Sequence, residues 1–258
     1  MPVTFKLESD MLEPTIDYFQ KILPGYQYLT ELWYIDLALF KVDDDLLEKR
    51  KRSGIMCDPW RLHFLSYFEP GKWLTIKESG SHRSANATRL NLNLLYREGF
   101  LLRKKRGRSY VYCQNPDYVN PITDVVAIEL KLKDYKAVHR QADSRRMYYA
   151  DKSYAVLALK GAICEKVVQY FKRYNTGVGL LFAKPQIEMA LEYEDKGWTP
   201  IHRQGACEEI LRRTGVIPCL INSDTATPVT TSTPNASVTS ASENDCFIHS
   251  GLTVSTGR

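Results

Sequence analysis

The clearest pattern of apolar and polar positions lies in residues 125–133, which read Val-Val-Ala-Ile-Glu-Leu-Lys-Leu-Lys. Such a nearly continuous apolar run predicts a buried strand. Successive side chains of a strand leave opposite faces, so Glu129 and Lys131 share one face and the apolar residues between and beside them share the other. Two charges on a buried strand are costly unless they serve a purpose, which makes this pair the first candidate for a functional site.

Other segments of the chain show the patterns of helices and strands around this one. Residues 11–23 predict a helix, because Leu12, Ile16, Phe19 and Leu23 form an apolar stripe. Residues 32–40 predict a second strand, in which Asp36 stands alone among apolar neighbours. Further strands are predicted at 154–159 and 177–182, and further helices at 161–174, 186–196 and 205–213. This alternation of elements predicts an α/β fold.

Three acids and one lysine are the candidates for chemistry in these elements. Glu8 lies one helical turn before Leu12 on the same face, so it joins Asp36 and Glu129 as a possible metal ligand. Carboxylates beside the ammonium group of Lys131 could together hold a divalent metal and a scissile phosphate.

The order of helix, Asp-bearing strand, Glu-x-Lys strand, helix and strand resembles the PD-(D/E)XK nuclease superfamily over residues 5–42 and 122–183. The resemblance implies a restriction-endonuclease-like mixed sheet flanked by helices, and Mg²⁺ or Mn²⁺ as the cofactor. It implies catalytic roles for Asp36, Glu129, Lys131 and Gln141, and metal binding by Glu8, Asp36 and Glu129.

The long segment between the two motif strands has a pattern of its own. Asp58-Pro59 predicts a helix start, residues 74–80 predict a short second helix, and residues 84–98 predict a third helix. Two strands follow at residues 100–103 and 109–113, joined by the basic turn 104–108. Three helices and a hairpin resemble the winged helix-turn-helix family, which implies an inserted domain that binds double-stranded DNA.

The third of these helices predicts a core-facing side and a side for reading a DNA groove. We place Ala87, Leu90, Leu94 and Leu95 toward the core and the polar residues on the opposite face. The candidate DNA-binding residues of this helix, its approach and the wing are Arg83, Asn86, Arg89, Asn93, Arg97, Arg103, Lys104, Lys105, Arg106 and Arg108.

The distribution of charge agrees with a nucleic-acid partner for this segment. Residues 53–117 contain 11 lysines and arginines against five acids, a net charge of +6, whereas the whole chain has a net charge of +5. The basic excess of the protein therefore lies in the inserted segment, as expected of a protein that binds the phosphate backbone. Winged helices also mediate protein contacts, but the basic wing favours DNA.

The composition of the chain indicates where the protein is located and which kinds of site are not expected. The 258 residues contain no apolar run long enough to span a membrane and no signal-peptide core near Met1, so we expect a cytoplasmic protein without a membrane partner. The six cysteines are scattered without Cys-x-x-Cys spacing, which indicates reduced thiols rather than zinc ligands or disulfides. The isolated histidines give no catalytic signal, and only His139 follows the Glu-x-Lys pair closely.

These patterns together predict the organisation of the chain. Residues 1–45 and 120–221 are expected to form a discontinuous nuclease-like core, and residues 55–117 the inserted winged helix. Residues 43–52 are predicted to be a charged, solvated linker. Residues 222–258 are rich in Ser, Thr, Pro and Asn and are predicted to be a disordered tail.

Two functions fit the sequence. The first is a Mg²⁺-dependent DNA endonuclease that is targeted by its winged helix and hydrolyses phosphodiester bonds. The alternative is a non-enzymatic DNA-binding transcriptional regulator in which the nuclease-like core serves as a scaffold. A protein can retain the fold of an enzyme after its catalytic activity has been lost. A homodimer is possible in either case.

Overall fold

The computed structural model describes residues 5–51, 53–56, 58–79, 84–184 and 186–217. All of them lie in one compact unit within Met1–Leu220. The unit is a mixed α/β structure with two sheets. None of the described helices has the length and apolar character that crossing a bilayer requires.

Seven helices and nine strands make up the described part of the chain. The helices are α1 (Leu12–Ile22), α2 (Asp44–Arg50), α3 (Pro59–Leu65), α4 (Ala85–Arg97), α5 (Tyr135–Tyr148), α6 (Ile163–Tyr174) and α7 (Arg203–Thr214). The strands are β1 (Gln27–Leu32), β2 (Ile35–Val42), β3 (Leu74–Thr75), β4 (Leu101–Arg106), β5 (Ser109–Gln114), β6 (Ile122–Lys131), β7 (Lys152–Leu157), β8 (Gly179–Ala183) and β9 (Ile187–Leu191). A short 3-10 helix, Glu8–Met11, precedes α1.

The large sheet has six strands in the order β1-β2-β6-β7-β8-β9. Strands β1, β2 and β6 are antiparallel neighbours, β6, β7 and β8 run parallel, and β9 returns antiparallel at the edge. The helices α5 and α6 connect the parallel strands, as crossovers between parallel neighbours require. The mixed sheet flanked by helices that the sequence predicted is therefore confirmed.

The two faces of the large sheet are covered by different helices. Helix α1 packs Phe19 against one face, in a cluster that contains Ile128 and Leu130 of β6. Helices α5 and α6 pack on the other face around β7 and β8, and α7 packs there beside β2 and β6. Ile128 and Leu130 thus face away from Glu129, so the alternation predicted for β6 is confirmed.

The second sheet has three antiparallel strands in the order β3-β5-β4. It shares a core with α3 and α4, in which Leu92, Leu95 and Phe100 are almost completely buried. An ion pair between Arg61 of α3 and Glu98, which follows α4, joins the two helices. This small core is built entirely from the segment between β2 and β6.

The prediction of one strand over residues 32–40 is wrong at its start. Leu32 ends β1 and pairs with Ile35, the first residue of β2, across the two-residue turn Trp33–Tyr34. Trp33 has a positive φ of 55°, a backbone conformation that a two-residue hairpin turn demands. The two aromatic residues are therefore at the tip of a hairpin and not inside a strand.

The prediction of a solvated linker over residues 43–52 is also wrong. Asp43 accepts a hydrogen bond from Leu46 N–H and caps α2. Arg50, at the end of α2, is completely buried and forms an ion pair of 2.9 Å with Glu208 of α7. A buried cation with a partner 158 residues away has no local signal in the sequence, which is why the segment looked like a surface connection.

Three further expectations about elements need correction. The helix predicted at 74–80 is the short strand β3 followed by a turn, in which Thr75 and Glu78 exchange side-chain to backbone hydrogen bonds. The helix predicted at 186–196 is strand β9, an edge strand in which Glu188 is exposed and the other residues are partly buried. The basic turn predicted at 104–108 is shorter, because β4 continues to Arg106 and only Gly107 and Arg108 form the turn.

Candidate active site

Asp36 of β2 is tied to the middle of the Glu-x-Lys segment of β6. Its Oδ2 accepts a hydrogen bond of 2.8 Å from the backbone N–H of Leu130. The register that pairs Leu37 with Ile128 leads, one residue further, to Asp36 and Glu129. The two carboxylates therefore leave the same face of the sheet as cross-strand neighbours.

Glu129 is buried although it carries a carboxylate, with only 1% of its surface exposed. Burial, together with the nearby negative charge of Asp36, raises the pKa of Glu129 to about 7. Arg145 of α5 opposes this shift, because its Nε donates a hydrogen bond of 2.9 Å to Glu129 Oε1. Glu129 is therefore poised to change its protonation near neutral pH.

Lys131 and Glu8 form an ion pair at the end of β6. The Lys131 Nζ lies 2.7 Å from Glu8 Oε2, and the lysine side chain is about one quarter exposed. Burial lowers the pKa of Lys131, but the hydrogen bond to Glu8 and the charges of Glu8, Asp36 and Glu129 outweigh burial, so the pKa is raised. The ammonium group stays charged at any physiological pH.

Arg145 and Gln141 lie one turn apart on helix α5. Arg145 donates from the same Nε to Glu129 and to the backbone oxygen of Tyr34, at 2.9 and 3.0 Å. Gln141 is four residues earlier, and its buried Oε1 has no hydrogen-bond partner among the described residues. A buried amide oxygen without a partner is unusual and indicates a position where a bound group could be recognised.

The structure brings the sequence candidates together in pairs. Asp36 adjoins Glu129, and Glu8 adjoins Lys131, but within the described parts of the chain no three acidic, histidine or cysteine side chains are grouped so as to hold a metal ion. His139 is apart from these charges, packed between Phe171 and Tyr170 of α6 with a lowered pKa caused by burial. Sequence reasoning missed Arg145; its spacing of four from Gln141 was the available signal.

The candidate DNA-binding residues lie on α4 and on the β4–β5 hairpin. Asn86, Arg89 and Arg97 are exposed along α4, as predicted, but Leu90 is on the exposed side as well, with 62% of its surface accessible. The buried residues of α4 are Thr88, Leu92 and Leu95. The face predicted for the core was displaced because Thr88, a polar residue, occupies a core position.

The basic side chains of the hairpin are of two kinds. Lys105, Arg106 and Arg108 are exposed. Arg103 instead lies between the rings of Tyr96 and Tyr110, 4.2 and 4.4 Å from their centroids, and donates a hydrogen bond of 3.1 Å to Asn93 Oδ1. Arg103 and Asn93 are thus used to join α4 to the hairpin, which leaves them less free to contact DNA.

Two of the remaining candidates are placed differently. Lys104 is exposed but holds its ammonium 3.9 Å from the ring centroid of Trp73, a cation–π contact. Arg83 lies outside the described residues.

Comparison of the chain with protein-family models, with curated proteins and with solved structures gave no match.

Proposed function

We propose that the protein is a metal-dependent DNA endonuclease with a PD-(D/E)XK-type core of the restriction-endonuclease kind. The observation that carries the proposal is the position of two carboxylates and one ammonium at the β2–β6 junction. Asp36 is hydrogen-bonded to the backbone between Glu129 and Lys131, and the pKa of Glu129 is raised by burial and by Asp36. A buried acid and a partly buried acid beside a charged lysine are suited to holding a cation and a phosphate.

The donor set fits a small divalent cation such as Mg²⁺ or Mn²⁺. Asp36 and Glu129 would hold it, because two neighbouring carboxylates repel each other and a cation between them relieves that repulsion. Two carboxylates suffice, since Mg²⁺ commonly completes its shell with water and phosphate oxygens. When bound, the ion would polarise the phosphate and lower the pKa of a bound water.

The side chains around the carboxylates have distinct roles in this proposal. Lys131 directs a permanent positive charge at the scissile phosphate and stabilises the negative charge that develops on its oxygens. Glu8 holds Lys131 through their 2.7 Å ion pair and fixes where that charge lies. Gln141, with its unsatisfied Oε1, orients a water or a bound group in the site. Arg145 favours the ionised form of Glu129 and holds its side chain in place.

The segment between β2 and β6 supplies DNA affinity in this proposal, as a winged helix. Helix α4 would enter a groove with Asn86, Arg89 and Arg97, and the hairpin would contact phosphates with Arg106 and Arg108. The support is the exposure of these side chains on one helix and one hairpin tip, together with the net charge of +6 on residues 53–117.

The experiment that tests the proposal is incubation of supercoiled and linear DNA with the purified protein in Mg²⁺, in Mn²⁺ and in EDTA. We expect nicked or linear products in at least one metal and none in EDTA. Intact DNA in both metals, at protein concentrations that bind it, would overturn the nuclease proposal.

One observation favours the second candidate, a DNA-binding regulator with an inert core. Glu129 is already paired with Arg145, and Lys131 with Glu8, so the charges of Glu129 and Lys131 are compensated within the protein. A scaffold would keep such pairs for structure alone. The two candidates differ in metal binding, because the regulator has no need to bind Mn²⁺ at Asp36 and Glu129.

A further inference from the structure

An open cleft of about 930 Å³ lies beside the candidate active site. Its walls include the Trp33–Tyr34 turn of the β1–β2 hairpin, helix α3 and helix α7. Clefts of this size accept small organic ligands. Because α3 belongs to the small core and α7 packs on the large sheet, the cleft lies where the two parts of the unit meet.

The cleft is unusually rich in aromatic side chains. Trp33, Tyr34, His63, Tyr149 and His202 all line it. Trp33 and Tyr34 are exposed, with 43% and 71% of their surfaces accessible, although both are large rings at the tip of a tight turn. Trp33 packs edge-on against Tyr149 at 5.3 Å between ring centroids, which holds its ring in place. Exposed rings gathered around a cleft indicate a surface that is covered by a ligand.

The charges that line the cleft are compensated within the protein. Glu208 is paired with the buried Arg50, and Glu209 is paired with Arg212. A phosphate would find no uncompensated cation among these residues, whereas a neutral planar group could stack on the rings. The cleft therefore suits a nucleobase, since every base offers a π-face to an aromatic side chain.

A single arginine connects the cleft to the carboxylates. Arg145 donates its Nε–H both to Glu129 and to the backbone oxygen of Tyr34, and its guanidinium carbon lies 5.6 Å from the Tyr34 ring centroid. A DNA strand whose phosphate lies at Arg145 could therefore place an adjacent base on Tyr34. A base held within the duplex cannot do so, because its faces are covered by its stacked neighbours.

We infer that the aromatic cleft binds an unpaired nucleotide of the bound DNA next to the scissile phosphate, so that the substrate is a junction between duplex and single strand. This inference rests on the proposed function and specifies its substrate class. The duplex is bound by α4 and the hairpin, the phosphate lies at the carboxylates, and the unpaired base stacks on Tyr34 and its neighbours.

The test compares three labelled DNAs by fluorescence anisotropy in EDTA, where no cleavage interferes. One is a blunt duplex, the second has a short single-stranded arm, and the third has the same arm without bases. The two armed DNAs carry equal numbers of phosphates, so a difference between them reports the bases alone. Arms are placed on each 3′ and 5′ end in turn. We expect the base-bearing arm to bind on the order of tenfold more tightly than the abasic arm on at least one end.

Substitutions test whether the preference for the base-bearing arm arises in the cleft. Tyr34→Ala should remove most of the preference, and Tyr34→Trp, which keeps an aromatic face, should retain it. Trp198→Ala is the matched control, because Trp198 is also exposed (64%) but does not line the cleft. Since Tyr34 is mostly exposed, its replacement should leave folding intact.

The outcomes separate this inference from the proposed function. Tight binding of the blunt duplex with no difference between base-bearing and abasic arms would overturn the inference and leave the nuclease proposal standing. A preference that survives Tyr34→Ala would also overturn it, and so would a loss in Trp198→Ala as large as in Tyr34→Ala. If the protein bound none of the three DNAs, both this inference and the proposed function would be contradicted.

Discussion

Arg145 donates its Nε–H to Glu129 Oε1 at 2.9 Å and so occupies the carboxylate that we propose as a metal ligand. The arginine and a divalent cation compete for the same negative charge. Arg145→Gln should therefore tighten Mn²⁺ binding at pH 8 by about tenfold, as measured by titration calorimetry. The matched control is Arg140→Gln, an exposed arginine on the same helix, which should leave Mn²⁺ affinity unchanged.

Equal effects of these two substitutions would show that Arg145 does not face the metal-binding position. Cleavage should respond in the opposite direction from metal binding. Because Arg145 also orients Glu129 and contacts the turn that carries Tyr34, Arg145→Gln should cut DNA more slowly even where its Mn²⁺ binding is tighter.

The raised pKa of Glu129 predicts how stability changes with pH in the absence of metal. A carboxyl group whose pKa is about 7 in the folded state and 4.5 in the unfolded state holds its proton more tightly when folded. The contribution of the protonated Glu129 to the stability of the fold is therefore fully present below pH 4.5 and is lost as pH rises to 7. The loss amounts to about 3 kcal/mol.

Glu129→Gln should remove this part of the pH dependence, because glutamine does not titrate. Urea unfolding of the wild type and the variant at pH 5, 6, 7 and 8 measures the difference directly. The free energy of unfolding of the variant, relative to that of the wild type, should increase with pH up to about pH 7 and change little above it. Parallel stability curves would contradict the assignment of the raised pKa to Glu129.

The buried pair of Arg50 and Glu208 predicts an unequal effect of two neighbouring substitutions in α7. Glu208 accepts hydrogen bonds from Arg50, from Tyr118 and from the backbone of Met56. Glu208→Ala leaves the Arg50 charge buried without its partner and should lower the free energy of unfolding by about 3–5 kcal/mol. Glu209→Ala breaks a more exposed pair with Arg212 and should cost less than about 1 kcal/mol.

Chemical denaturation of the two variants checks this prediction. Similar unfolding midpoints would mean that the Arg50–Glu208 pair contributes no more than a surface pair. Because this pair joins α2 to α7, we also expect Glu208→Ala to expose α2 to proteolysis, and Glu209→Ala to leave it protected.

The exposed arginines at the tip of the hairpin predict a change in the salt dependence of DNA binding. Arg106→Ala and Arg108→Ala should each lower the slope of log affinity against log salt concentration by roughly one unit, the value for one lost phosphate contact. Lys21→Ala is the matched control, since Lys21 is exposed on α1, outside the small core. Unchanged slopes in both hairpin variants would indicate that the hairpin contacts a protein partner instead.

The sequence predicted the strands that carry Asp36, Glu129 and Lys131 because their apolar periodicity is a local property. It also contained an unused signal for β9, where the short run Ile187-Glu-Met-Ala-Leu191 is almost wholly apolar and interrupted only by Glu188. No local pattern reveals the partner of Arg50, since Glu208 is far away in the chain. The charged run around Arg50 therefore looked solvated, and the helix α2 was missed.

The aromatic cleft was beyond prediction for the same physical reason. Trp33 and Tyr34 continue the apolar pattern of the following strand in the sequence, so they were assigned to its interior. The hairpin turn brings them to the surface, and His63, Tyr149 and His202 reach the same place from distant parts of the chain. Only tertiary structure assembles such a surface.

The most direct test of the central claim is the rate at which supercoiled DNA is nicked in Mg²⁺ or Mn²⁺ by the wild type and by Asp36→Asn, Glu129→Gln, Lys131→Ala and the double variant Asp36→Asn/Lys131→Ala. DNA affinity of each protein is measured in EDTA as the control. We expect metal-dependent nicking by the wild type, a loss of at least about 100-fold in each single variant, and no further loss in the double variant, because groups that act as one unit fail together. A wild type that binds DNA and never nicks it, or variants that cut as fast as the wild type, would contradict the assignment of this site.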